Sequence, residues 1–204
     1  MFAPVPDYLG LLRDLASFDP PPFVFGSVAE AALLDGALSA SHGDLNVLIR
    51  REELALWIER MGERGFHEFA VYYEPRPGLP LVLGSSRDDL ALELNLVDHD
   101  ATGDAYFAVE SGNGVVAIFL TPDAFTWPAT MIDGVPIHTV SPLALLQIRV
   151  GMMASGVFEP PRREKDLPRQ ARLVAAFFPE ADESSLEPRM VEESELRLAA
   201  RRGR

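Results

Sequence analysis

Three oxygen-bearing side chains and one glycine turn supply most of the chemistry this sequence offers. Asp44 and Asn46 stand two apart, and the alternation that follows reads as a strand over Leu45 to Ile49. Strand side chains repeat every two residues, so Asp44 and Asn46 share a face. Glu93 lies in a second alternating run, Leu90 to Val97, in which Leu90, Leu92, Leu94 and Leu96 share one face and Glu93 and Asn95 the other. If the two strands are neighbours, the three side chains meet. Upstream, Gly26-Ser27 follows a short apolar strand, Phe23 to Phe25, and opens a helix over Val28 to Leu34. A helix start presents unpaired backbone N–H groups, glycine permits close approach, and the Ser27 hydroxyl adds a donor. That combination suits a phosphate. Mg²⁺ fills its shell from carboxylates, waters and substrate phosphates, so Asp44, Asn46 and Glu93 are candidate ligands beside a Gly26-Ser27 cradle. Read singly, each has a plainer explanation: an ordinary turn, a solvated residue entering a strand, a polar residue on a half-exposed strand.

The elements that would position these residues fall into two halves. A helix over Asp7 to Ala16 stops before Asp19-Pro20-Pro21-Pro22, which no helix crosses. After the second strand, Glu52 to Gly65 reads as an amphipathic helix with Leu54, Trp57, Ile58 and Met61 inward. Further strands are expected at Glu68 to Tyr73, at Gly112 to Phe119, and at Met131 to Val140 with a tight turn at Asp133-Gly134. Ser141-Pro142 is a helix start, a side-chain cap followed by proline. From there the pattern is helical: Pro142 to Met153, Arg163 to Phe178, and Leu186 to Arg202. An α/β half over 1–140 precedes a helical half over 141–204.

Composition narrows the function. The 204 residues are 48% hydrophobic and carry a formal net charge of −13, which opposes the general attraction to phosphate backbones on which nucleic-acid binding depends. The acidic surface weakly favours a cationic small substrate. With no cysteine, disulfides, thiolate zinc sites and cysteine nucleophiles are excluded. The opening Met1 to Gly10 lacks a basic region followed by an apolar run, and no stretch supplies about 18 uninterrupted apolar residues. A cytoplasmic protein without membrane or nucleic-acid partners is expected; the oligomeric state is open. Asp98-His99-Asp100 has the look of a metal pair but reads more simply as a polar turn leaving a strand. Lys165-Asp166, near a helix start, offers a cation for phosphates or a plain surface pair.

Taken together, the ordered set resembles the nucleotidyltransferase superfamily. Gly26-Ser27, Gly36, the run His42-x-Asp44-x-Asn46, and Glu93 are similar to its small-molecule branch, which holds the aminoglycoside and lincosamide nucleotidyltransferases and the toxin-like AbiEii proteins. Phe119 to Asp123 and Val135 to Pro142 look like the segment joining the two halves of such enzymes. Arg163-Glu164-Lys165-Asp166-Leu167 looks like the Lys-Asp signature of their helical half, so the likeness runs in order over 23–178. The resemblance implies an α/β (α+β) fold, a nucleotidyltransferase-like mixed sheet with flanking helices followed by a helical part. It implies transfer of a nucleoside monophosphate from an NTP to a hydroxyl of a small-molecule acceptor, with Mg²⁺ as cofactor. Gly26, Ser27 and Lys165 would bind nucleotide, Asp44, Asn46 and Glu93 the metal, and Asp44 and Glu93 would be catalytic. Glu93 would serve as a ligand or as the base on the acceptor hydroxyl. Three positions depart from the pattern: Asn46 replaces an aspartate, and Ala37 and Ala40 replace arginines. All three weaken the field that holds a metal and a triphosphate. A catalytically degenerate binding protein on the same fold, or a toxin–antitoxin component, is therefore the second expectation.

Overall fold

The computed structural model describes residues 5–38, 44–74, 81–88, 90–111, 114–156, 160–192 and 195. These form two compact units, one from Met1–Val97 with Phe125–Val140, the other from Asp98–Ala124 with Ser141–Arg204.

In the first unit, helix α1 (Val5–Ala16) buries Tyr8, Leu11, Leu12 and Leu15, an i, i+3, i+4, i+7 stripe. Strand β1 (Phe23–Phe25) runs directly into α2 (Gly26–Leu34), and β2 (Leu45–Arg50) follows. A 3₁₀ turn over Arg51–Glu53 leads into α3 (Leu54–Gly62), a later start and an earlier stop than the apolar spacing suggests. Trp57 and Met61 are its buried residues; Ile58, expected inward, is exposed. Strands β3 (Ala70–Tyr73), β4 (Val82–Arg87) and β5 (Leu90–His99) complete a sheet ordered β1-β2-β5-β4-β3. Only β2 and β5 are parallel; the other pairings are antiparallel, so the sheet is mixed. Leu45, Val47 and Ile49 on β2 lie beside Leu92, Leu94 and Leu96 on β5, and all six are buried.

The hairpin β8 (Thr130–Ile132) and β9 (Val135–Ile137) returns to this unit, turning at Asp133 and Gly134 with φ of 46° and 78°. It grips the segment that leaves α2. Gly36, with φ +65°, ends the helix by donating its N–H to the Ala31 carbonyl at 2.9 Å. Its own carbonyl accepts from Asp133 N–H at 2.8 Å, and the Asp133 carboxylate accepts from Leu38 N–H at 2.8 Å.

In the second unit, β6 (Ala105–Ser111) and β7 (Gly114–Phe119) pair antiparallel, and α4 (Pro142–Ala154) packs on β7. Ser141 caps α4 by accepting from Ala144 N–H at 3.2 Å. Gly151 makes the α4–β7 approach possible, since a β-carbon there would lie 2.8 Å from the Ile118 side chain. Helix α5 (Pro160–Phe177) starts earlier than expected and runs through Pro168. The helix expected over Leu186 to Arg202 does not form over 186–192. A 3₁₀ turn ends at Leu186 and β10 (Met190–Glu192) pairs antiparallel with β7, Met190 opposite Ile118. Pro188 has no N–H to give a helix, and alternation from Met190 onward fits an edge strand.

Arg189 fastens that edge. Its guanidinium lies 3.7 Å from the Phe119 ring centre, 2.9 Å from Asp104 and 3.3 Å from Asp100. Asp98 and His99 end β5, and Asp100 folds a polar turn, its carboxylate accepting from Thr102 N–H, the Thr102 hydroxyl and Asp104 N–H at 2.8, 2.6 and 3.0 Å. Desolvation raises the Asp100 carboxyl, but the hydrogen bonds from Thr102, Asp104 and Arg189 outweigh it and hold the group below its ordinary value of 3.8. A depressed carboxylate stabilises the fold above that value and ceases to do so as pH falls below it toward the folded one. Asp100→Ala is expected to cost about 1 kcal/mol at neutral pH. Urea melts should show the gap between variant and wild type narrowing as pH falls below 3.8; a gap unchanged by pH would show the turn to be electrostatically idle.

Candidate active site

The first unit brings Asn46 and Glu93 together by register. Asn46 on β2 lies directly opposite Glu93 on β5, and Phe25, the last residue of β1, opposes Asn46 from the other side. Parallel neighbours stand about 4.8 Å apart with opposed side chains on one face, so Asn46 and Glu93 project together. Asp44 precedes β2 by one residue and Asn46 by two. Asp44, Asn46 and Glu93 are all partly exposed, in contrast to the sealed leucine face behind them. Alternation between an open polar face and a buried apolar one is what the sequence pattern demands.

Immediately after Phe25 the chain turns at Gly26, with φ +71°, and becomes α2. A β-carbon on Gly26 would lie 3.7 Å from both Cβ and Nδ2 of Asn46, so the helix start stands against that side chain. No side chain caps α2 and no acidic residue occupies its first turn. The positive end of the helix therefore stands against the Asn46 side chain. Ser27 is the second helical residue and partly exposed.

Burial, and after it the charge of Asp44, pushes the Tyr8 phenol above its ordinary value of 10.0. Tyr8 is thus a neutral hydroxyl within the electrostatic reach of Asp44. Its position in the apolar stripe of α1 hid it from sequence reasoning, which reads such a tyrosine as core.

The other predicted residues are placed differently. Lys165 belongs to α5 in the second unit, and its side chain, like those of Arg162 and Arg163, lies outside the described residues. Asp166 lies more than a turn inside α5, with its carboxylate 3.9 Å from Arg169. His42 and Ala40 also fall outside the described residues, whereas Ala37 is exposed just after Gly36. Among the described residues, no three His, Cys, Asp or Glu side chains form a metal-holding group. A divalent ion here would rest on two carboxylates and the Asn46 amide oxygen. Mg²⁺ accepts such a donor set, since amide oxygens, waters and substrate phosphates fill the remaining positions. The residues fit the ion through hard oxygen donors on one open face.

Three solved structures share this architecture. The lincosamide antibiotic adenylyltransferase LnuA, in a lincomycin-bound crystal structure, matches with a TM-score of 0.56 at 16% identity, covering 82% of this chain and 96% of that one. ANT(2'')-Ia in complex with adenylyl-2''-tobramycin matches with a TM-score of 0.58 at 14% identity, covering 96% and 97%. The solution structure of the antibiotic-resistance factor ANT(2'')-Ia gives 0.55 at 16%, covering 97% and 92%. The chain has the fold of the antibiotic nucleotidyltransferases. At such identities the likeness concerns fold alone, and it spans 82% or more of this chain and 92% or more of each of the others. No family model matches the sequence, and no curated protein does. Within the nucleotidyltransferase fold, the start of α2 and the Asn46–Glu93 pair are the local features from which function must be argued.

Proposed function

We propose that the chain is a nucleotidyltransferase that moves a nucleoside monophosphate from an NTP to a hydroxyl of a small, amine-bearing acceptor. One observation carries this reading: Gly26, Asn46 and Glu93 stand in a continuous row, a helix start against one side chain and a carboxylate in register with it. The nucleotidyltransferase fold, shared with proteins solved with lincomycin and adenylyl-2''-tobramycin, supports a small-molecule acceptor. The surface charge of −13 supports a cationic one.

In the reaction, the acceptor hydroxyl oxygen forms a bond to the α-phosphorus of the NTP as the bond from that phosphorus to the bridging oxygen breaks. Pyrophosphate departs with that electron pair, and the hydroxyl proton passes to the Glu93 carboxylate. The Gly26 and Ser27 amides bind phosphate oxygens. Mg²⁺, held by Asp44, Asn46 and Glu93, would neutralise phosphate charge when bound. Asn46 in place of aspartate, with only two carboxylates at the site, favours the second reading, a nucleotide-binding protein that has lost turnover.

Mg²⁺-ATP or Mg²⁺-GTP at about a hundred times its dissociation constant adds about 2.7 kcal/mol of stability. For a chain of this size that raises the melting temperature by about 5–10 °C. Asn46→Asp is expected to enlarge the Mg²⁺-dependent part of that shift and to raise adenylylation of tobramycin or lincomycin. A larger shift without product would select the binding protein; no shift with any NTP in either variant would refute nucleotide use at this face.

A further inference from the structure

Beyond Glu93 the row continues, and its next member is a glycine. Gly84 on β4 lies directly opposite Glu93, and Ala70 on β3 opposite Gly84. The site face thus reads Phe25, Asn46, Glu93, Gly84, Ala70 across five strands. The space that a side chain on Gly84 would fill is taken by the phenol end of Tyr72, whose Cζ, Cε2 and hydroxyl would collide with a β-carbon there. Tyr72 therefore lies across the strand on the face that bears Glu93 and Asn46, with its hydroxyl end toward β5. At 58% exposed, it is the most open of the large apolar and aromatic side chains among the described residues.

Covering a strand glycine with an aromatic ring stabilises sheets, and that accounts for one side of Tyr72. It does not account for leaving the remainder of a large ring in water beside a carboxylate. Phosphate groups belong to the Gly26 side of Asn46 and Glu93, where the helix amides are. The opposite side of Glu93 offers the bare backbone of Gly84 and the aromatic surface of Tyr72. We propose that Tyr72 is the acceptor-binding wall of the site, receiving a hydroxylated, amine-bearing ring compound on its exposed surface and holding one hydroxyl against Glu93. The proposal rests on the nucleotidyltransferase reading above. An ammonium group gains from the aromatic face by cation–π attraction, and ring C–H groups gain by apolar contact. Small size at position 84 is part of the device, because any side chain there would lift Tyr72 away from Glu93.

The test uses the full chain with Mg²⁺, a non-hydrolysable ATP analogue and tobramycin as the probe. Calorimetric titration is expected to show tobramycin binding about tenfold more weakly to Tyr72→Leu, which keeps an apolar cover on Gly84, and within about twofold of wild type to Tyr72→Phe. The ATP analogue should bind all three proteins alike. In wild type with ring-labelled tyrosine, the signal absent from Tyr72→Phe spectra should shift with tobramycin and stay still with nucleotide alone; this readout needs no destabilised variant. Equal tobramycin affinity in all three proteins, no tobramycin binding to a wild type that binds nucleotide, or a Tyr72 signal moved by nucleotide alone would each overturn the acceptor wall while leaving nucleotide binding in place. Failure of the ATP analogue to bind wild type would overturn the function reading and the wall together.

Discussion

Glu93→Gln is expected to lower nucleotidyl transfer by about 10²- to 10⁴-fold, the usual contribution of a positioned general base. The substitution keeps the size and an oxygen ligand, so register with Asn46 and Gly84 and the packing of β5 should survive. What disappears is the group that accepts the acceptor proton and one negative charge facing the phosphates. Affinity for Mg²⁺-NTP should fall much less than turnover, because the α2 amides and Asp44 remain. Single-turnover rates with a saturating NTP, beside equilibrium binding of the non-hydrolysable analogue, separate the two effects. Equal losses in binding and rate would assign Glu93 to metal holding alone.

Trp57→Ala should be the most destabilising change in the first unit, at about 3–5 kcal/mol. Trp57 is wholly buried and meets Phe18 edge-on at 5.4 Å between ring centres, while Arg60 and Arg64 lie 5.2 and 5.6 Å from the Phe18 ring. Truncation would empty that space and free Phe18 from its cluster. Its indole N–H, however, is buried without a hydrogen-bond partner among the described residues, a cost of about 1–3 kcal/mol already borne by the fold. Trp57→Phe removes the orphan donor together with part of the ring, so the two terms oppose and its net cost should stay below about 2 kcal/mol. Denaturant midpoints of the two variants check this directly: an equal, large loss in both would mean that packing volume alone matters at position 57.

The site was legible in the sequence to the extent that strand periodicity governs it. Asp44 and Asn46 share a face because two residues separate them, and the leucines around Glu93 fix which way it points. Sequence could not show that β2 and β5 are neighbours, because β3 and β4 intervene along the chain; pairing supplies that fact. β4 itself escaped notice, since Gly84-Ser85-Ser86 has the composition of a loop and becomes a strand only between β3 and β5. Tyr72 went unseen for the same reason, as its role depends on a glycine one strand away. β10 was read as helix because leucines and charges downstream of it have helical spacing, while its pairing with β7 is a long-range contact that local pattern does not encode. The Ser141-Pro142 helix start follows from local chemistry and needed no such partner.

The most direct measurement is Mn²⁺ binding by electron paramagnetic resonance, with Mn²⁺ standing in for Mg²⁺ in the presence of the non-hydrolysable ATP analogue. Wild type should take up nucleotide-dependent Mn²⁺, Asn46→Asp should take it up more tightly, and Asp44→Asn should release it. Uptake indifferent to residues 44 and 46, or absent from all three proteins, would contradict a cation held between β2 and β5 in front of Gly26.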